Sequence, residues 1–177
     1  MSFKSLILRT ISFIRGGGYI DRARKEGVVI GERCRLIGSP SWGSEPWLIT
    51  LGNHVEISSN VRFITHDGAT WVFREKERYK DVIRYGKIEI KDNCFIGANS
   101  TILPGVTIGP NSVVGACSLV RKDVSPNSVY AGNPARRICS IEDYAEKCLL
   151  QTPDYDRNNY RKNKQEEVLR ILSKTKV

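Results

Sequence analysis

The chain has 177 residues, enough for one domain with a sizeable core. Lys and Arg number 28 against 19 acids, a formal net charge of +9, which favours phosphate-bearing partners or else marks a solvated basic surface. No five-residue Lys/Arg block exists and no apolar run reaches membrane-spanning length, which argues against a nucleic-acid-binding tail and a membrane span.

In chain order, residues 3–14 set Phe3, Leu6, Ile7, Ile11, Phe13 and Ile14 on one face of a helix, and glycines 16–18 are expected to end it. The stretch resembles a signal peptide but has no small-residue cleavage motif after it, so the expectation is a soluble cytoplasmic chain. The helix is expected to cap the open end of the coil that follows or to pack on a neighbouring subunit. Lys4, Arg9 and Arg15 flank its stripe and leave peripheral membrane contact open as an alternative.

A six-residue rhythm then dominates. Residues 90–125 divide into IKDNCF, IGANST, ILPGVT, IGPNSV, VGACSL and VRKDVS, led by Ile90, Ile96, Ile102, Ile108, Val114 and Val120. LGNHVE, ISSNVR and FITHDG repeat the pattern from Leu51, Ile57 and Phe63, and IGERCR at Ile30 is a further match. A helix places apolar residues every third or fourth position and an exposed strand every second, so six fits neither. It fits a short strand plus a turn along one side of a triangular coil, three hexads closing one turn, with the leading aliphatics stacked in an inward column. Small fifth-place residues (Cys94, Ser100, Val106, Ser112, Ser118) fill the corners, and Gly and Asn are expected to supply the strained turns.

Two segments break the rhythm. Residues 37–50, rich in Gly, Pro, Ser and Trp, read as an irregular excursion. From Phe63 to Ile90 the interval is not a multiple of six, so a loop of about 67–87, mixing aromatics with charge, is thrown out of the coil. His66 sits at that break. His54 holds the same hexad place two hexads earlier, on another side of the coil and with no loop beside it, and reads as a surface histidine.

Past Val124, a helix is expected from Ile141 to Leu150 with Ser140 as N-cap. Thr152-Pro153-Asp154 breaks it, and a second helix follows at 164–174. Five cysteines form no CxxC pair, and three of them fall inside the repeat as small apolar fillers, which points to reduced thiols. The expected fold is mainly β: a parallel β-helix at 28–139, an N-terminal helical segment at 1–27, and a C-terminal helical extension at 140–177.

The ordered set of HDG, extruded loop, PGV, GACSLV and NSVYAGNPARRI over roughly residues 28–140 resembles the galactoside, maltose and xenobiotic acetyltransferase branch of the hexapeptide-repeat acyltransferases. The resemblance implies a left-handed coil and a homotrimer with acetyl-CoA held between neighbouring coils. It also implies that no metal is required and that the acceptor is a saccharide in surface polysaccharide biosynthesis; with no Lys/Arg block, no nucleic-acid partner is expected. His66 matches the catalytic histidine, an imidazole suited to taking a hydroxyl proton at neutral pH. A backbone N–H of Ala98 or Asn99 is implied as oxyanion donor. Ala98, Asn99, Ala116, Arg121, Lys122 and Arg136, with Arg137 beside them, are implied around coenzyme A. Cys139 replaces a basic residue often found three positions after Arg136, and Phe95 stands where many relatives carry tryptophan. Asp67, Trp71, Arg74 and Glu75 are acceptor-binding candidates by position, with loop anchoring the alternative for Trp71.

N-acetylation of an amino sugar or of an antibiotic uses the same base and stays open, as does a non-catalytic scaffold. A zinc hydratase of carbonic-anhydrase type needs three histidine ligands, and two histidines on unlike sides do not provide them.

Overall fold

In the computed structural model, which describes residues 17–174, the strands form three sheets that the chain visits in rotation. The first sheet contains β1 (Val29–Ile30), β3 (Ile49–Leu51), β6 (Ile88–Ile90) and β9 (Thr107–Ile108). The second contains β2 (Arg35–Leu36), β4 (Glu56–Ile57), β7 (Phe95–Ile96), β10 (Val113–Val114), β12 (Ser128–Ala131) and β13 (Arg136–Ser140). The third contains β5 (Arg62–Phe63), β8 (Thr101–Ile102) and β11 (Leu119–Val120). All pairings are parallel except β12–β13. Ile90 registers with Ile108, Ile96 with Val114 and Ile102 with Val120, so each strand lies on the one three hexads away.

The leading aliphatics are buried and form one cluster. Each contributes about 1.5–3 kcal/mol by leaving water, which is why so short a motif dictates the architecture. The corners solve a backbone problem. Asn60, Asn93, Asn99, Asn111 and Asn127 hold φ between +55° and +59°, a left-handed turn that asparagine tolerates better than most side chains. The second-place glycines serve a different end from the one expected. Gly97 has no positive φ; a Cβ there would stand 2.4 Å from the Ala116 nitrogen, so it is close approach between coils that requires glycine. In the fifth place, the Ser112 hydroxyl donates to the Ser125 carbonyl (2.9 Å) and the Cys94 thiol to that of Gly109 (3.1 Å). Burial pushes the Cys94 thiol up to about 11, so it remains a protonated filler.

Three sequence expectations meet the structure here. Gly17 and Gly18 lie within a helix, α1 (Gly17–Glu26), because Ala23, Tyr19 and Ile20 pack on the coil and outweigh glycine's poor propensity. The helix expected at residues 3–14 lies outside the described residues. The excursion at 37–50 is shorter than it reads, since Leu36 and Trp42 continue the six-residue spacing from Ile30. Ser41 bridges Arg62 in parallel, and Trp42 is buried in the third-sheet column. Only the residues after Trp42, before β3, leave the coil.

The chain divides into two units, Met1–Ile141 and Glu142–Val177. In the second, α2 (Ile141–Gln151) starts at the boundary, and α3 (Arg157–Lys162) and α4 (Lys164–Lys174) pack on each other. The sequence reading missed α3, which Asp156 caps by accepting from the backbone of Asn158 and Asn159. Glu167, 1 % exposed, accepts from the Asp156 backbone (2.8 Å), the Asn159 amide (3.1 Å) and Arg170 Nε (3.0 Å). Among the described residues no helix is long and apolar enough to cross a membrane.

Candidate functional site

The three corners separate the candidate residues. His54 turns from the first sheet to the second; Ala98, Asn99 and Ala116 turn from the second to the third; His66, Arg121 and Lys122 turn from the third to the first. The two histidines therefore differ in setting despite their shared hexad place. His54 adopts φ +55° and its Nδ1 bonds Asn93 Oδ1 (2.8 Å), at one end of a ladder that continues to Asn111 and Asn127. His66 has no such turn. It pairs with Tyr85 in an antiparallel bridge, at the neck from which the long loop emerges.

That neck is built from backbone. The Asp67 N–H donates to the Arg84 carbonyl and the Gly86 N–H to that of Thr65, both at 2.9 Å. A Cβ at Gly86 would lie 2.3 Å from the Gly105 nitrogen, so glycine lets the returning strand press against the next coil. Asp67 reinforces the neck: one oxygen accepts from the Ala69 N–H (3.0 Å), the other from Arg84 (3.1 Å). Beyond it the loop folds on itself, with Thr70 buried and Phe73 edge-on to Tyr79.

A cleft of about 470 Å³ opens at this corner, lined by His66, Asp67, Gly68, Arg84, Tyr85, Leu103, Pro104 and Arg121 among others. Arg121 also borders a second cleft of about 400 Å³ with Lys122, Tyr130, Arg136 and Arg137. Among the described residues Arg121, Lys122 and Arg137 have no ion-pair partner. A histidine cleft thus runs into a cationic one, joined at a single arginine.

Of the acceptor candidates, only Asp67 lines the histidine cleft, and its carboxylate is committed to the neck. Trp71 is 78 % exposed, Arg74 Nε donates to the Val82 carbonyl (3.0 Å), and Glu75 is exposed. Asn99 is corrected as an oxyanion donor, because its backbone N–H already donates to the Ser59 carbonyl (3.0 Å); its side chain lies in a separate polar cleft with Arg62 and Thr101. The Ala98 N–H has no backbone partner among the described residues.

One residue escaped the sequence reading. Glu45, in the short excursion after Trp42, places Oε2 3.0 Å from His66 Nδ1 and accepts from the Thr65 hydroxyl as well. The Glu45 side chain is 13 % exposed and that of His66 42 %. The hydrogen bond from Thr65, then that from His66, hold the Glu45 carboxyl below its usual range against the opposing effect of burial. No local signal marks Glu45, since the excursion carries no motif.

The bacterial transferase hexapeptide (six repeats) family matches residues 87–122. Protein CapG of Staphylococcus aureus is 48 % identical over 147 residues, covering 81 % of this chain and 84 % of CapG. The galactoside O-acetyltransferase of Escherichia coli is 39 % identical over 99 residues, 56 % of this chain and 47 % of that enzyme, so the chain spans about half of that relative. The polySia-specific acetyltransferase NeuO shares the fold with a TM-score of 0.53 and 26 % identity, over 70 % of this chain and 64 % of NeuO. With the three-sheet coil, the histidine at the loop neck and these likenesses together, the chain belongs to the hexapeptide-repeat acyltransferase family and is an acetyl-CoA-dependent acetyltransferase.

Proposed function

We propose that this protein O-acetylates a sugar hydroxyl in surface polysaccharide biosynthesis, with His66 as general base for direct transfer from acetyl-CoA. The observation that carries the proposal is the placement of His66: it lines a cleft at the loop neck that shares Arg121 with the cationic cleft of Lys122, Arg136 and Arg137. Imidazole takes the acceptor proton as the hydroxyl oxygen bonds to the thioester carbonyl carbon. The tetrahedral oxyanion collapses, the carbon–sulfur bond breaks, and the departing thiolate recovers the proton. Alignment of the two substrates in one groove supplies a large further share of the rate. The unpaired cations suit the phosphates of coenzyme A.

Ala98 and Ala116 lie on the adjoining corner, away from His66 in one chain. A homotrimer of left-handed coils, with each site between subunits, accounts for this separation: the next subunit would present the Ala98 N–H to the oxyanion. We assign residues 28–139 to the acetyltransferase domain, with 1–27 and 140–177 as extensions. The sugar assignment draws support from the galactoside O-acetyltransferase relative and from the polySia-specific NeuO. All five cysteines are free, which supports a reducing cytoplasm.

The test is release of free coenzyme A thiol from acetyl-CoA against a panel of saccharides, amino sugars and xenobiotics, with His66→Ala alongside. The expected outcome is turnover with a hydroxyl acceptor and a loss of at least about a hundredfold in the variant. Turnover confined to amine acceptors would overturn the O-acetyl assignment, and an active His66→Ala enzyme the assignment of the base.

A further inference from the structure

Both interruptions of the repeat open at the corner between the third and first sheets, one coil apart. The short one follows Trp42 and the long one follows Phe63 by three residues, and the stacked rings of Trp42 and Phe63 hold the two starting points together. Gly43, at φ +71°, turns the short excursion over Phe63; a Cβ there would stand 3.0 Å from the Phe63 carbonyl oxygen. Glu45 follows two residues later and reaches His66.

We propose that Glu45 is a positioning residue for acyl transfer, holding His66 in the tautomer whose lone pair lies on Nε2. The proposal rests on His66 being the base. An ionised carboxylate only accepts, so the 3.0 Å contact requires the proton of the neutral ring to sit on Nδ1. The buried Thr65 hydroxyl donates to the same oxygen and pins the carboxylate rotamer from the other side. With Nδ1 committed, Nε2 is the nitrogen left to accept the acceptor's proton. It stands near Gly68, another residue of the cleft, where a Cβ would lie 4.0 Å from it, an ordinary contact distance. The other histidine makes the contrast: His54 Nδ1 meets an amide in a ladder of amides, with no carboxylate among its hydrogen-bond partners in the described residues.

The chain has two histidines, so ¹⁵N-histidine labelling gives two imidazole spin systems, and a His54→Asn variant assigns them. In its neutral form, His66 is expected to carry its proton on Nδ1, with an imine-type signal at Nε2. In Glu45→Gln, that signature is expected to fade, because the amide can turn its N–H₂ toward the ring. With a panel acceptor, its kcat should fall at least about tenfold while the KM for acetyl-CoA stays within about twofold. Glu45→Asp, which keeps the charge, is expected to recover part of the loss. A wild-type His66 protonated on Nε2, or an unchanged kcat in Glu45→Gln, would overturn the proposal. The wild-type spectrum decides even if Glu45→Gln fails to fold. His66→Ala separates the two claims: full activity there refutes the base itself, whereas loss there with none in Glu45→Gln refutes only the positioning role.

Discussion

The indole of Trp42 lies nearly parallel to the ring of Phe63, with centroids 5.0 Å apart and planes inclined by 21°. The pair links the first coil to the second at the corner where both loops leave, so packing and chemistry meet there. Trp42→Ala removes a buried aromatic and is expected to cost about 3–5 kcal/mol in denaturant unfolding. Because Glu45 follows three residues later, kcat is expected to drop further than the fraction unfolded explains. A loss of stability with kcat unchanged per folded molecule would show the stack to be structural only.

Arg121 borders both clefts. Arg121→Ala is expected to raise the KM for acetyl-CoA about tenfold, the equivalent of one lost charge-assisted hydrogen bond. Acetyl-pantetheine, which lacks the nucleotide phosphates, should be used equally well by both proteins. Comparing the two donors in the thiol-release assay checks this; an equal penalty on both would move Arg121 from the phosphates to the acceptor.

His54 sits at φ +55° and ends the ladder through Asn93, Asn111 and Asn127. Asparagine suits that backbone and offers the same amide chemistry. His54→Asn is therefore expected to keep full activity and a melting temperature within a few degrees, while Asn111→Ala, which breaks the ladder, should lower the melting temperature. A large activity loss in His54→Asn would assign that histidine a role its position does not suggest.

Glu167 has its carboxyl lowered from 4.5 to about 2, chiefly by the hydrogen bond from Arg170, then by that from the Asp156 backbone. A depressed carboxyl pKa adds stability that is fully present above the unfolded value and lost as pH falls through the folded one. The α3–α4 pair should accordingly loosen between about pH 4.5 and pH 2, with Asp156, Asn159 and Arg170 losing their shared acceptor. Amide exchange over residues 156–174 checks this, and Glu167→Gln is expected to remove most of the pH dependence in that window.

The period of six was a statement about the column. It could be read from Ile90, Ile96, Ile102, Ile108, Val114 and Val120 because each leading aliphatic meets its counterpart three hexads on, an interaction repeated often enough to leave a trace in one dimension. The long loop and His66 were legible for the same reason, as a break in that trace. Trp42 kept the period but was hidden by its bulk and by the Gly, Pro and Ser around it. Gly97 was read as a turn former although its backbone is ordinary, because what requires glycine there is the next coil, which no local pattern contains.

By itself, then, the amino-acid order determined a stacked apolar column, its interruptions and one histidine beside the larger of them, since burial of repeated side chains is nearly a local property. Only the tertiary structure decided which corner each residue occupies. It brought Glu45 to His66 across 21 positions, spent the Asn99 N–H on Ser59 and separated Ala98 from the histidine. Hydrogen bonds between coils depend on register and on where excursions fold back, and neither is written in the spacing of any one segment.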